Sequence, residues 1–191
     1  MYDRSVWIEE VDRGLFNLIK EIVKYPDYNN TPIGVTPTFP LDDTDIRDIT
    51  LPTVMIKHVG EKFDMDRYDP NNTLVTVSTT NTKVIREELA KPYTLNYQLD
   101  FLSEYKEDMN CMTKYWSGHI GKRYMLPVVN AEGTPMRCYM TMVGSPTTLN
   151  QQTGQLSLFR TIMLYDIKVE IDLGVSTESD IVQGVNLDID S

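Results

Sequence analysis

Between Lys91 and Ser103 the chain reads KPYTLNYQLDFLS, and Tyr93, Leu95, Tyr97, Leu99 and Phe101 alternate with Thr94, Asn96, Gln98 and Asp100. Side chains on a strand point to opposite faces with a period of two, so the stretch predicts a strand with one apolar face. Pro92 stands at its entrance, where a missing N–H costs little. Beyond Ser103 the period lengthens. Met109, Met112 and Trp116, with Cys111, Tyr115 and Ile120 nearby, recur at helical spacing. That pattern predicts an amphipathic helix, started by Ser103 or Asp108 as cap and closed by Gly118 or Gly121. A helix so close behind a strand folds back over the strand's apolar face.

Toward the N-terminus, Ile8, Val11, Leu15, Leu18, Ile19 and Ile22 keep helical spacing from about Ser5 to Lys24. Early acids and the late Lys20 and Lys24 suit the helix dipole. Gly14 weakens the helix by ~1 kcal/mol relative to Ala, and Pro26 is the expected stop. From Pro26 to Ile49 prolines and polar residues follow without periodicity. Loops longer than ~12–15 residues in compact domains are commonly functional or disordered; this one is read either as a surface excursion over the core or as a partner-binding arm. Leu51–Val59 predicts a strand, with Val54, Ile56 and His58 opposite Thr53, Met55 and Lys57. Glu61–Asn72 is polar and ends in a turn signal, Leu74, Val75 and Val77 predict another strand, and Thr79–Ala90 a short helix.

In the C-terminal half, Arg123–Val129 and Met136–Val143 predict a hairpin around Asn130–Gly133. Met136, Cys138, Met140 and Met142 line one face of its second strand, against Arg137, Tyr139 and Thr141. Ser145–Gln155 reads as a polar loop. Phe159–Leu173 reads as a long strand, with Met163, Tyr165, Ile167, Val169 and Ile171 inward and Asp166, Lys168, Glu170 and Asp172 outward. After Gly174 no basic residue occurs, yet Val185, Leu187 and Ile189 alternate with polar neighbours as an added edge strand would. The whole predicts an α+β fold: a mainly antiparallel sheet, an N-terminal helix and a second helix on one face, and long loops. Residues 1–174 form one domain, with a long loop at 26–50, and 175–191 an extended acidic C-terminal arm.

Composition narrows what such a fold can do. The 191 residues carry 18 Lys and Arg against 28 Asp and Glu, a net charge of −10. Duplex-binding proteins gain affinity by neutralising phosphates, so an acidic chain argues against nucleic acid as its main ligand, and against anionic membranes. Eleven tyrosines and 41% apolar residues describe a globular chain. The N-terminus has no apolar run of a signal peptide, and no stretch approaches the ~20 apolar residues that span a bilayer. Two separated cysteines, Cys111 and Cys138, suit buried thiols in a reducing compartment.

Motifs that carry chemistry are absent. His58 and His119 lack short-spaced His or Cys partners, so core packing is expected for them and for Cys111 rather than ligation or catalysis. Asp42, Asp43, Asp45 and Asp48, and again Asp64, Asp66 and Asp69, resemble calcium loops only superficially. The Gly and Glu that an EF-hand needs at its sixth and twelfth positions are occupied by Asp69 and Val75 in one frame and by Asp48 and Val54 in the other. No catalytic residue, cofactor site or metal site is therefore expected, and the chain is not read as an enzyme.

The segment Pro92–Met109, PYTLNYQLDFLSEYKEDM, resembles the tail-completion and tail-terminator proteins of tailed bacteriophages, especially the neck proteins of contractile-tailed ones. The resemblance lies in a Pro-led alternating strand, a short Lys/Glu/Asp link (Ser103–Asp108) and a helix. The N-terminal helix and late hairpin are similar to that family's small α+β fold. The long loop and acidic tail depart from it, as does Gly118–Arg123 ahead of the hairpin. The resemblance implies a virion protein made in the host cytoplasm, forming a homo-oligomeric ring, usually a hexamer. Such a ring caps the tail tube, touches sheath proteins where the tail contracts, and meets the head-side connector, while DNA passes through without specific binding. Other readings are a baseplate or head-closure component, or a metal-dependent hydrolase using the Asp loops. Ile33, Phe39, Val185, Leu187 and Ile189 are the candidate partner contacts.

Overall fold

Helix α1, Ile8–Ile22, forms where apolar residues repeat along one stripe, and Val11, Leu15, Leu18 and Ile19 from that stripe are buried. The Trp7 N–H at its start donates to the Glu10 carboxylate at 2.8 Å, satisfying one of the donors that a helix leaves open. The computed structural model describes residues 7–40, 49–68, 73–77, 83–88, 90–153, 156–171 and 176–180. The helix ends earlier than Pro26. Val23 turns extended, and its N–H closes on the Ile19 carbonyl at 2.8 Å. Lys24–Pro26 is then strand β1, paired antiparallel with β2, Pro32–Gly34. Asp27 organises the turn between them, its Oδ1 accepting from the Asn29 and Thr31 N–H groups. The expected featureless loop thus begins with a hairpin. Val35 bonds back to Val23 and is buried, and Thr38 bridges in parallel to Met55. Asp42, Asp43, Asp45 and Asp48 lie outside the described residues.

The remaining elements in order are β3 (Thr53–Phe63), β4 (Thr73–Val77), β5 (Lys83–Glu88), β6 (Lys91–Ser103), α2 (Lys106–Ile120), β7 (Arg123–Val129), β8 (Pro135–Thr153), β9 (Leu156–Ile171) and β10 (Ser176–Asp180). Five of them form one antiparallel sheet in the order β3-β6-β9-β8-β7, and three form a second in the order β10-β5-β4. The second repeats the order of the first: β4 follows β3, β5 precedes β6 and β10 follows β9.

Three expectations are corrected here. The helix expected over Thr79–Ala90 is strand β5, because pairing on both sides by β4 and β10 outweighs the weak helical spacing of a few apolar residues. The polar loop expected at Ser145–Gln155 is largely β8, which runs on against β9 past an irregularity between Val143 and Thr147. Glu61–Phe63, expected to be polar connection, continues β3 opposite Tyr93–Leu95 of β6. In each case partner strands supply the hydrogen bonds that local composition does not demand.

Both helices cover one face of the five-stranded sheet. On that face Leu95, Tyr97, Leu99 and Phe101 of β6 meet Met163, Tyr165, Ile167 and Val169 of β9, with Val54, Ile56, Cys138, Met140, Leu126 and Val128 around them, all buried. The Met-rich strand is therefore core. Met109, Met112, Trp116 and Ile120 of α2 close over β6 and β9, as the strand–helix pattern predicts. Its start is capped by neither Ser103 nor Asp108 in the expected way: Tyr105 is the N-cap, and its N–H donates to Ser103 Oγ at 3.1 Å. Gly121 ends it at a φ of 58° and ψ of −152°, a conformation open to glycine. A Cβ on Gly14 would stand 3.1 Å from the Pro127 carbonyl oxygen and 3.2 Å from Val128 Cγ2. The residue that weakens α1 by propensity is what lets it lie against β7.

Candidate interaction surface

The polar groups inside the fold are bound to one another. Tyr97 Oη, on β6, donates to Asp12 Oδ1 of α1 at 2.7 Å. Burial raises the Asp12 carboxyl above the ordinary aspartate value, although the Tyr97 hydrogen bond and His58 pull the other way. Burial, then the Asp12 bond and its charge, raise the Tyr97 phenol. A phenol held so firmly protonated is a poor acid at neutral pH, so the pair ties α1 to β6 rather than moving protons. Trp116 Nε1 donates to Tyr165 Oη at 2.7 Å in the same way, joining α2 to β9. On the opposite face Asp100, only 1% exposed, takes Arg160 at 2.7 Å and Lys57 at 3.0 Å on Oδ2, and Gln98 Nε2 at 2.7 Å on Oδ1. Three strands, β3, β6 and β9, are cross-linked by this one carboxylate.

Neither histidine is core. His58 sits on edge strand β3, exposed, its ring 5.2 Å from that of Tyr97. His119 is exposed on the last turn of α2, with Nδ1 2.7 Å from the Tyr115 carbonyl oxygen. The expected packing fails because both side chains face solvent, one from an edge strand and the other from the last turn of α2. Cys138 is buried and Cys111 half-buried, both free. Burial, with Glu10 and Glu170 nearby, pushes the Cys138 thiol up to about 12, which leaves it inert. Among the described residues no three His, Cys, Asp or Glu side chains gather as metal ligands. Asp64 is engaged by Arg67 at 2.6 Å, which holds its carboxyl below the ordinary value. Arg67 also donates to the Tyr93 carbonyl at 2.8 Å, clamping the end of β3 to β6. Asp66 is exposed, and Asp69 lies outside the described residues.

The expected partner contacts divide. Ile33 is on β2 and 40% exposed; Phe39 is 45% exposed and stacks on Phe16 of α1 at 6.1 Å between ring centres. Phe39 borders two hollows. One, of about 300 Å³, is shared with Glu9, Asp12, Arg13 and Phe16. The other, of about 500 Å³, opens toward Tyr25, Thr36, Ile49 and Leu51. Val185, Leu187 and Ile189 lie outside the described residues, whereas Ser176–Asp180, expected in the free arm, pairs with β5 of the same chain.

A larger surface went unnoticed in the sequence. The face of the five-stranded sheet away from the helices exposes Met125, Tyr139, Val143 and Leu164, each more than a third accessible. Strand pairing places Met125 beside Tyr139 and Val143 beside Leu164, two apolar pairs on one face with the row of Arg123, Thr141 and Asp166 between them. The Arg123 guanidinium lies 4.7 Å over the Tyr139 ring, a cation–π contact at the rim. The signal was present as a breach of alternation: Met125, Tyr139, Val143 and Leu164 occupy positions that the pattern assigns to solvent. Exposed apolar side chains grouped on one face mark interaction sites more often than singly scattered ones do. Compared with known proteins, the chain matches no family model and no curated protein.

Proposed function

We propose that this chain is a structural virion protein, a subunit of the homo-oligomeric ring that caps the tail tube of a tailed phage and joins it to the head-side connector. The observation that carries the reading is the open sheet face with its exposed Met125, Tyr139, Val143 and Leu164, since apolar area left beside water is stabilised by a protein neighbour. The resemblance of Pro92–Met109 to tail terminators supplies the kind of assembly, and the α+β fold with helices on one face agrees with that family's architecture. Of the Asp loops that a hydrolase would use, Asp64 is held by Arg67. A baseplate or head-closure component would use the same face, and its position on an imaged particle separates it from a neck ring. The net charge of −10 suits a channel wall that does not grip passing DNA.

Light scattering with negative-stain imaging of the purified protein tests this reading. Closed rings are expected, without a continuous Lys/Arg belt around the lumen. A monomer throughout the micromolar range, or rings lined with basic side chains, overturns it.

A further inference from the structure

Between Arg137 and Arg160 the chain carries no Asp, Glu, Lys or Arg, the longest uncharged run in a protein of net charge −10. The fold turns this run into a projecting hairpin. β7 stops pairing with β8 at Thr141, and the Met142 N–H makes one more bond, to the Lys122 carbonyl. β8 nevertheless continues to Thr153, held by β9 alone. On the other side, β6 leaves β9 at the Ser103–Phe159 pair. The β8–β9 pair from Asn150–Phe159 to Thr153–Leu156 therefore runs past β6 and β7, with neither outer edge paired among the described residues.

Its base is anchored: Leu158 packs with Met55 and Leu102, and Thr148 Oγ1 lies 3.2 Å from Thr161 Oγ1. Its outer side is open, with Ser145–Asn150 all exposed and Leu149 37% accessible. Proteins blunt free strand edges with charges, prolines or bulges. Here Pro146 and the irregularity between Val143 and Thr147 guard only the root, and from Thr147 onward no such device appears.

We infer that this uncharged β8–β9 hairpin is the arm by which one subunit binds a second copy of this chain, its β8 edge lying against the neighbour. The occupant follows from charge. Two subunits of −10 repel wherever their acidic surfaces meet, and a long arm free of charge is the element that can be laid on a like-charged neighbour without that cost. An unblunted edge then supplies backbone donors and acceptors for strand addition. The inference rests on the oligomer proposed above and names the contact that builds it.

The test compares the full chain with the double variant Thr147→Lys and Leu149→Lys, both at exposed positions, and with Tyr28→Lys, 95% exposed on the β1–β2 turn. Sedimentation across a concentration series reads the oligomer, and circular dichroism with thermal melting reads the fold. The double variant is expected to keep the fold and to self-associate at least about tenfold more weakly, since each subunit contact would bury unpaired ammonium groups. Tyr28→Lys is expected to assemble as the parent does. A parent that is monomeric overturns the oligomer and the arm together. A parent that assembles while the folded double variant assembles equally well overturns the arm alone, as does equal weakening by Tyr28→Lys. If the double variant fails to fold, Asn150→Lys takes its place under the same criteria.

Discussion

Asp12 and Asp100 show how differently two carboxylates fare in one fold. Asp100 is buried against two cations and an amide, so its charge is met on every side. Asp12 has a neutral phenol as its main partner, and desolvation dominates. A carboxyl whose folded pKa is raised contributes stability that is complete below its unfolded value and is lost as pH climbs through the folded one. Asp12→Asn removes that titration while its Oδ1 still accepts the Tyr97 hydroxyl. The stability of the variant relative to the parent should therefore grow as pH rises from 3.8 upward, then level off. Denaturant melts at steps from about pH 3 to 7 check this; a difference that stays flat across the series would show that burial does not govern Asp12.

Among the elements, α2 offers a clean pair of glycines. Gly121, at a φ of 58° and ψ of −152°, occupies a region nearly closed to other residues, while a Cβ on Gly118 would meet nothing within 4 Å. Gly121→Ala should destabilise by about 1–3 kcal/mol. Gly118→Ala, within the helix, should stabilise by about 0.5–1 kcal/mol. Opposite shifts in melting temperature are the expected result, and shifts of the same sign would mean that the helix end is misplaced. The two helices, β6, β9 and the β7–β8 hairpin were legible because each buries one face and leaves the other wet, which writes a period into the sequence. β5 and the far half of β8 were not legible. What makes Lys83–Glu88 a strand is β4 and β10 on either side, and what makes Thr147–Thr153 a strand is β9, so the information lies in distant residues. The open sheet face was hidden for the converse reason: alternation names two sides of a strand without saying which of them a partner covers. Ile33 and Phe39 were found as exposed apolar residues in an irregular segment, though Phe39 already spends one face on Phe16.

For the whole molecule, the C-terminal strand β10 belongs to the small three-stranded sheet and not to the five-stranded one. Ser176–Asp180 pairs with β5, which keeps β4 on its other side, and among the described residues the five-stranded sheet takes no strand from beyond Ile171. A chain ending at Gly174 should melt within about 2–3 °C of the parent, a shift typical of losses under 1 kcal/mol at this size. A fall of tens of degrees would place the C-terminal stretch in the core. β9 is another matter. It is the last long strand to be made, yet it lies between β6 and β8. As the ribosome delivers the chain, β3 can zip onto β6, and β7 onto β8, but the two halves stay apart until Ile171 has emerged. The projecting hairpin needs β9 as well. If that hairpin is the arm proposed above, a half-made chain has none to offer, and the order of synthesis would keep it out of the assembly until β9 is in place.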